Sequence, residues 1–213
     1  MTLKQNSQRG KLKYQGKTRL NKNFLVLQFA GTHEKKSMYR EEIKNLRDIR
    51  GRIEQVSSYL IAKDLSKFED VADWYNFLAD IKSIQGNFNN DISFLATLMA
   101  KQYLEKKYGL LGFNAAEKAQ GAPGLDIDVR LPSGERLVAE IKTTTPYKPN
   151  DLGSQQKNTF SKDFAKLADA KADIKLFFLT EQRTFDLMQK PKYRSQLSQI
   201  TVVHLPSGEE FLA

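Results

Sequence analysis

Apolar positions recur along this chain with two different periods, and the change from one to the other divides it. From Met38 to Ile61, Ile43, Leu46, Ile49, Ile53, Val56 and Leu60 fall near helical spacing, so the pattern predicts an amphipathic helix with Gly51 weakening its middle. A second helix is expected from about Glu69 to Ile84, carrying Val71, Trp74, Tyr75, Leu78 and Ile81, with Gly86 ending it. Trp74, at that spacing, reads as a core residue. The clearest helix follows: Ile92, Leu95, Ala96, Met99, Ala100 and Tyr103 share one stripe, capped by Asn89, Asn90 or Asp91 and closed at Gly109.

Beyond Gly109 the period shortens. Leu110 to Asn114 is a short strand candidate, and Gly121-Ala-Pro-Gly124 a turn. Leu125–Leu131 and Glu135–Thr143 alternate strictly, as half-buried strands do. A helix over 160–170, a strand over 174–180, a short helix over 183–189 and a strand over 200–205 complete the pattern. The pentapeptide LPSGE occurs at 131–135 and again at 205–209; each copy follows a strand and reads as a turn. The order α-β-β-β-α-β-α-β from residue 90 onward predicts an α/β protein, a sheet with helices on its faces. The expected organisation is a flexible basic arm at 1–23, a helical region at 24–86 that opens with the apolar run Phe24–Phe29, and a core at 87–213.

Composition removes several chemistries. There are no cysteines, which excludes disulfides, thiolate metal sites and cysteine nucleophiles, and only two histidines, His33 and His204, which excludes a histidine-rich zinc site. His204 reads as structural. No apolar run approaches the roughly 20 residues of a membrane span, and Met1–Gly10 has no apolar h-region. A soluble intracellular protein is the expectation.

The charge is unevenly placed. Residues 1–60 hold 14 Lys and Arg against 5 Asp and Glu, while residues 61–213 hold 20 of each, so the whole net charge of +9 sits in the first 60 residues. Lys4, Arg9, Lys11, Lys13, Lys17, Arg19 and Lys22 precede any acid. Such a block reads either as an electrostatic contact to nucleic acid, through Lys11, Lys13, Lys17 and Arg19 among others, or as a solvated tail.

The alternating hairpin carries the candidate chemistry. Leu125, Ile127, Val129 and Leu131 are apolar, whereas Asp126, Asp128 and Arg130 share the opposite face; Glu140 and Lys142 lie with Val138 opposite Leu137, Ala139 and Ile141. A three-residue loop Pro132-Ser133-Gly134 fits a type I turn followed by a left-handed residue. It sets Leu131 against Glu135, Val129 against Leu137 and Asp126 against Glu140, about 5 Å apart at Cβ. Opposed carboxylates repel unless a cation lies between them. Mg²⁺ suits Asp126, Glu140, the backbone carbonyl of Ile141, waters and a substrate phosphate, with Asp128 a weaker candidate. Such an ion polarises a phosphoryl oxygen and acidifies water, and Lys142 is placed to orient or deprotonate that water or to stabilise the developing charge. The alternative is a hairpin with an ordinary solvated face.

GLDIDV, a short turn and LVAEIKTTTP, preceded by a helix and followed by helix and strand, resemble the PD-(D/E)XK nuclease superfamily over about residues 90–205. That resemblance implies an αβββαβ core with a central mixed sheet. It also implies Mg²⁺ as cofactor, Asp126 and Glu140 as metal-holding catalytic residues, and Lys142 from the Glu140-Ile141-Lys142 triplet as the catalytic lysine. Two features depart from the family pattern: Pro123 stands three residues before Asp126, and Thr97 and Leu98 fall where many members carry an acid in the first core helix, with Asp91 a poor substitute. The number of metal ions stays open.

Gln155, Gln156, Lys157 and Asn158 form a donor-rich segment suited to base edges in the major groove, or alternatively a polar helix start. Thr144 and Lys148, with their neighbours, are candidate phosphate contacts. The resemblance, size and helical addition imply a type II restriction endonuclease acting on double-stranded DNA as a homodimer. Such an enzyme works in the prokaryotic cytoplasm, on the nucleoid when bound to DNA. A repair, mismatch or junction-resolving nuclease, or a silent nucleic-acid-binding module, are the alternatives.

Overall fold

A computed structural model describes residues 38–119 and 121–213. The basic arm, the Phe24–Phe29 run and the candidate contacts Lys11, Lys13, Lys17 and Arg19 lie outside the described residues. The element order is α1 (Arg40–Ala62), a short 3₁₀ turn (Leu65–Lys67), α2 (Val71–Gln85), α3 (Phe88–Tyr108), β1 (Ile127–Arg130), β2 (Arg136–Lys142), α4 (Ser154–Asp169), β3 (Ile174–Leu179), α5 (Gln182–Met188), α6 (Pro191–Arg194), β4 (Thr201–His204) and β5 (Glu210–Leu212).

The three N-terminal helices form where the 3.6-residue period predicts them, with ends set by local chemistry. Asp70 caps α2 by accepting from Asp73 N, while Asp73 reaches back to Asp70 N. Gly86 closes α2 at φ +66°. The cap of α3 is Asn87, one turn earlier than the expected residues, its side chain accepting from Asn90 N at 3.2 Å. The buried stripe of α3 is also rotated from the expected one. Ala96, Ala100 and Leu104 are fully buried, whereas Leu95 is exposed. The reason is a second neighbour: Lys101 points at α1 and meets the fully buried Glu42 at 2.9 and 3.0 Å. Glu42 also accepts from Ala115 N at 2.7 Å and Tyr39 N at 2.9 Å. These bonds tie α1 to α3 and to the loop after it, so the helical segment is joined to the core rather than appended. Residues 110–114 are not a strand: Tyr39, the cap of α1, donates its Oη to Gly112 O at 2.7 Å within that stretch.

Five strands form one mixed sheet in sequence order, β1-β2-β3-β4-β5, antiparallel at both edges and parallel through the middle. α4 and α5 provide the two parallel crossovers. Val138, Phe177, Leu179 and Val202 project from one face into a core with Phe160, Phe164 and Leu167 of α4, Phe185, Leu187 and Met188 of α5, and Tyr193 of α6. On the other face Ile127, Leu137, Ala139, Leu176, Phe178 and Val203 meet Ala100 and Leu104 of α3. The protein is thus α/β, with helices on both faces of the sheet. β2 and β3 are buried on both faces, as interior parallel strands are.

The expected hairpin register is the observed one: Val129 lies opposite Leu137 and Ile127 opposite Ala139. The turn closes through Gly134 N to Leu131 O and Leu131 N to Glu135 O, both 2.9 Å, with Gly134 at φ +93°. The second LPSGE also turns a hairpin, adding β5, which the sequence pattern does not predict. There the pairing residues are His204 and Glu209, so the loop is one residue longer. Leu205, unlike Leu131, gives its N–H to Leu179 O of the neighbouring parallel strand and is drawn out of the turn.

Candidate functional site

The ends of β1 and β2 open into a cleft of about 900 Å³, whose walls include Thr97 of α3, the loop carrying Lys118, and Asp163 and Lys166 of α4. Asp126 immediately precedes β1. Its position opposite Glu140 follows from the register, and its Oδ2 accepts from Ile141 N at 2.8 Å. A residue in a strand points its N–H and C=O to the same edge, so the Ile141 carbonyl also opens toward Asp126. The Lys142 carbonyl points the other way and accepts from Thr180 N at 3.1 Å.

The face carrying Glu140 is not the solvated polar face that alternation suggests. α4 packs over it, and Glu140 is 2% exposed. Burial, with the Asp126 carboxylate adding to it, pushes the Glu140 carboxyl up to about 7. Lys166 Nζ bonds Glu140 Oε1 at 3.1 Å and Asp163 Oδ1 at 3.2 Å. Lys142 Nζ lies 2.7 Å from Asp163 Oδ2. The site is therefore a network of three carboxylates and two ammonium groups, drawn from β2, α4 and the start of β1.

Asp163 and Lys166 were not among the residues that the pattern singles out. A signal for Asp163 exists: Phe160, Phe164 and Leu167 define the buried stripe of α4, and position 163 falls on that stripe. An acid there, with a lysine one turn on, marks a buried charge that needs a partner from elsewhere in the fold.

Asp128 is separated from this network. It is held by Arg136 across the hairpin in a bidentate pair at 2.7 and 2.9 Å, and that guanidinium lowers its carboxyl below the usual range. Gln155–Asn158 form the first turn of α4 rather than a loop. Gln156 is buried and committed to structure: its Oε1 accepts from Gly153 N at 2.8 Å and Tyr147 N at 3.2 Å, and its Nε2 donates to Thr145 O at 2.8 Å. Gln155 and Asn158 are exposed, and Lys157 pairs with Asp151 at 2.6 Å. Thr144 lines the cleft, its carbonyl accepting from Thr184 Oγ1 at 2.6 Å, and Lys148 is exposed. His204 bonds Ser207 Oγ at 2.7 Å and Thr180 O at 3.3 Å, a structural role. Trp74, expected in the core, is 48% exposed, with the Phe68 ring packed edge-on at 4.9 Å.

Five carboxylates (Glu117, Asp126, Asp128, Glu140 and Asp163) and three lysines (Lys118, Lys142 and Lys166) line the cleft, and Arg136 from outside it balances Asp128. The donor set at the hairpin end is all oxygen, which fits a hard divalent cation. Among the described residues no group of three or more His, Asp or Glu converges to hold an ion by itself. A cation at Asp126 and Glu140 would complete its shell with water and substrate oxygens, as Mg²⁺ commonly does. Comparison of the chain with protein-family models, curated proteins and solved structures gives no match. No helix among the described residues is long and apolar enough to cross a membrane.

Proposed function

We propose that this protein is a Mg²⁺-dependent endonuclease that hydrolyses phosphodiester bonds of double-stranded DNA, built on a PD-(D/E)XK-like core. The observation that carries the reading is the buried Glu140, facing Asp126 at the mouth of the cleft, with a lysine two residues along the same strand. A buried carboxylate beside a second one is costly without a cation.

Asp126, Glu140 and the Ile141 carbonyl would hold the ion. Bound there, Mg²⁺ supplies Lewis-acid polarisation of the phosphate and a more acidic water. Lys142 offers N–H donors and positive charge where the pentavalent phosphorus centre gains negative charge. Asp163 acts as a positioning residue that fixes the Lys142 side chain from α4. Lys166 offsets the Glu140 and Asp163 carboxylates.

Within this class we read the protein as a type II restriction enzyme, a homodimer cutting both strands of a palindromic site in a prokaryotic cytoplasm. Because one hairpin provides one centre, two strands call for two subunits about a two-fold axis. The outer face of α1 and α2 supports the dimer: Ile53, Ile61, Val71, Tyr75 and Leu78 are each at least 60% exposed. Incubation of the protein with plasmid and genomic DNA in Mg²⁺ tests the reading. Discrete fragments support a restriction enzyme, a smear supports a nonspecific nuclease, and intact DNA at every protein concentration removes the nuclease reading altogether.

A further inference from the structure

Five cations dispersed over 45 residues of sequence are gathered on one surface beyond the end of β2. The loop 148–151 is the hub. Arg183 of α5 donates to Lys148 O at 3.3 Å, and Lys190 donates to Asn150 O at 3.2 Å. Lys157 of α4 and Lys192 of α6 both pair with Asp151, at 2.6 and 3.0 Å, and Tyr193 Oη donates to the same carboxylate. Lys148 itself is exposed, and Tyr147 beside it is 81% exposed. Asp151 is the only carboxylate in the bonds that knit this surface together. It holds Lys157 and Lys192, while the loop carbonyls hold Arg183 and Lys190, so four of the five cationic groups are ordered in advance and one charge of the five is balanced.

We infer that this surface binds the sugar-phosphate backbone of duplex DNA to one side of the cleavage point, with Lys190, Lys192 and Arg183 as its phosphate contacts. The inference uses the nuclease reading only to place the cut; the binding itself is independent of it. Preordered cations favour a polyanion of fixed charge spacing. The surface is also connected to the catalytic cleft by the short segment that follows β2. Lys142 and Lys148 are six residues apart, a span of at most about 20 Å. With an axial rise of about 3.4 Å per phosphate of one strand, that reach covers about six base pairs. Backbone entering the cleft over Glu140 therefore meets the cationic surface within about half a helical turn.

The test is fluorescence anisotropy of a labelled mixed-sequence duplex in EDTA, with salt varied from about 50 to about 200 mM. All three side chains are exposed, so their replacement leaves the core untouched. In the double variant Lys190→Gln/Lys192→Gln, the slope of log affinity against log salt should become shallower by about 2 units, 0.9 for each lost phosphate contact. Arg183→Gln alone should lower it by about 1 unit, which keeps the test valid if loss of Lys192 disturbs Asp151. The control Lys171→Gln, exposed before β3 at the opposite end of the sheet from the loop 148–151, should leave the slope unchanged. Wild-type slopes in both test variants would overturn the inference. If the slopes fall as expected but the wild-type protein never cuts in Mg²⁺, the nuclease reading fails and the binding surface stands.

Discussion

Replacing Asp163 by Asn separates the site's geometry from its fold. The substitution keeps volume and shape but removes the carboxylate that Lys142 meets at 2.7 Å and Lys166 at 3.2 Å. Breaking a wholly buried ion pair costs about 3–5 kcal/mol, but that figure is too high here. Asp163 is buried, yet Lys142 is 18% and Lys166 44% exposed, so both ammonium groups can turn to cleft water. Loss of a charge-assisted hydrogen bond, about 1.5–3 kcal/mol, is the better guide. Relief of Asp163's repulsion with Glu140 offsets part of it, leaving about 1–2 kcal/mol, or a fall in Tm of about 2–8 °C. Activity should suffer more than stability, because Lys142 is then free to leave its working position. Second-layer partners of this kind are worth about 10–100-fold. The assay pairs urea unfolding with single-turnover cleavage of supercoiled plasmid, with Mg²⁺ titrated in each. The expected result is a folded protein whose maximal rate falls about 10–100-fold while half-saturating Mg²⁺ changes little. Wild-type cleavage by Asp163→Asn would refute the positioning role. A loss made good by more Mg²⁺ would show that Asp163 serves the metal instead.

The remaining predictions concern neighbouring groups. Asp126→Asn should abolish cleavage, whereas Asp128→Asn should retain it and cost at most about 1 kcal/mol, because its pair with Arg136 is largely exposed; plasmid cleavage and urea melts of the two variants decide it, and an inactive, folded Asp128→Asn would reverse the assignment. A Glu140 carboxyl raised to about 7 from 4.5 binds more protons folded than unfolded in that window, so its contribution to stability falls as pH rises through it. Mg²⁺ must displace that proton, so its gain in Tm should be larger at about pH 8 than at about pH 6, and an equal gain at both would place the ion elsewhere. Leu78→Asp on the exposed face of α2 should convert a dimer into a species of 24.4 kDa in sedimentation, while a wild-type protein already of that mass would remove the dimer.

Much of this arrangement is legible in the sequence because its determinants are local. The Pro132-Ser133-Gly134 turn fixes the hairpin register within a few residues, and with it the meeting of Asp126 and Glu140. Three helices follow from spacing and caps. The rest depends on contacts between distant segments. Alternation in β2 implies one solvated face, yet β2 lies between β1 and β3 with α4 above it, and Glu140 is buried as a result. Leu110–Asn114 has a strand's composition, but Tyr39, the cap of α1, takes the carbonyl of Gly112, and Glu42 takes the N–H of Ala115 just beyond, each 73 residues away. Gln156 looks like a base-reading donor until the turn that it closes between Tyr147 and Gly153 is known. Of the cationic surface around Asp151 only Lys148 and Lys157 stand out in the sequence; Arg183, Lys190 and Lys192 join them through the fold, in a stretch, residues 61–213, that is neutral overall.

The central claim is tested most directly by Glu140→Gln. Glutamine reproduces the shape of the protonated side chain, so the buried site should accept it without loss of fold. It cannot supply the charge that a cation needs. Purified wild-type protein should cut plasmid DNA in Mg²⁺ and not in EDTA, and Glu140→Gln, equally folded by circular dichroism, should cut at least about 100-fold more slowly, a loss of about 3 kcal/mol in transition-state stabilisation. Cleavage by Glu140→Gln at the wild-type rate would contradict the account, as would a folded wild-type protein that leaves every DNA substrate intact.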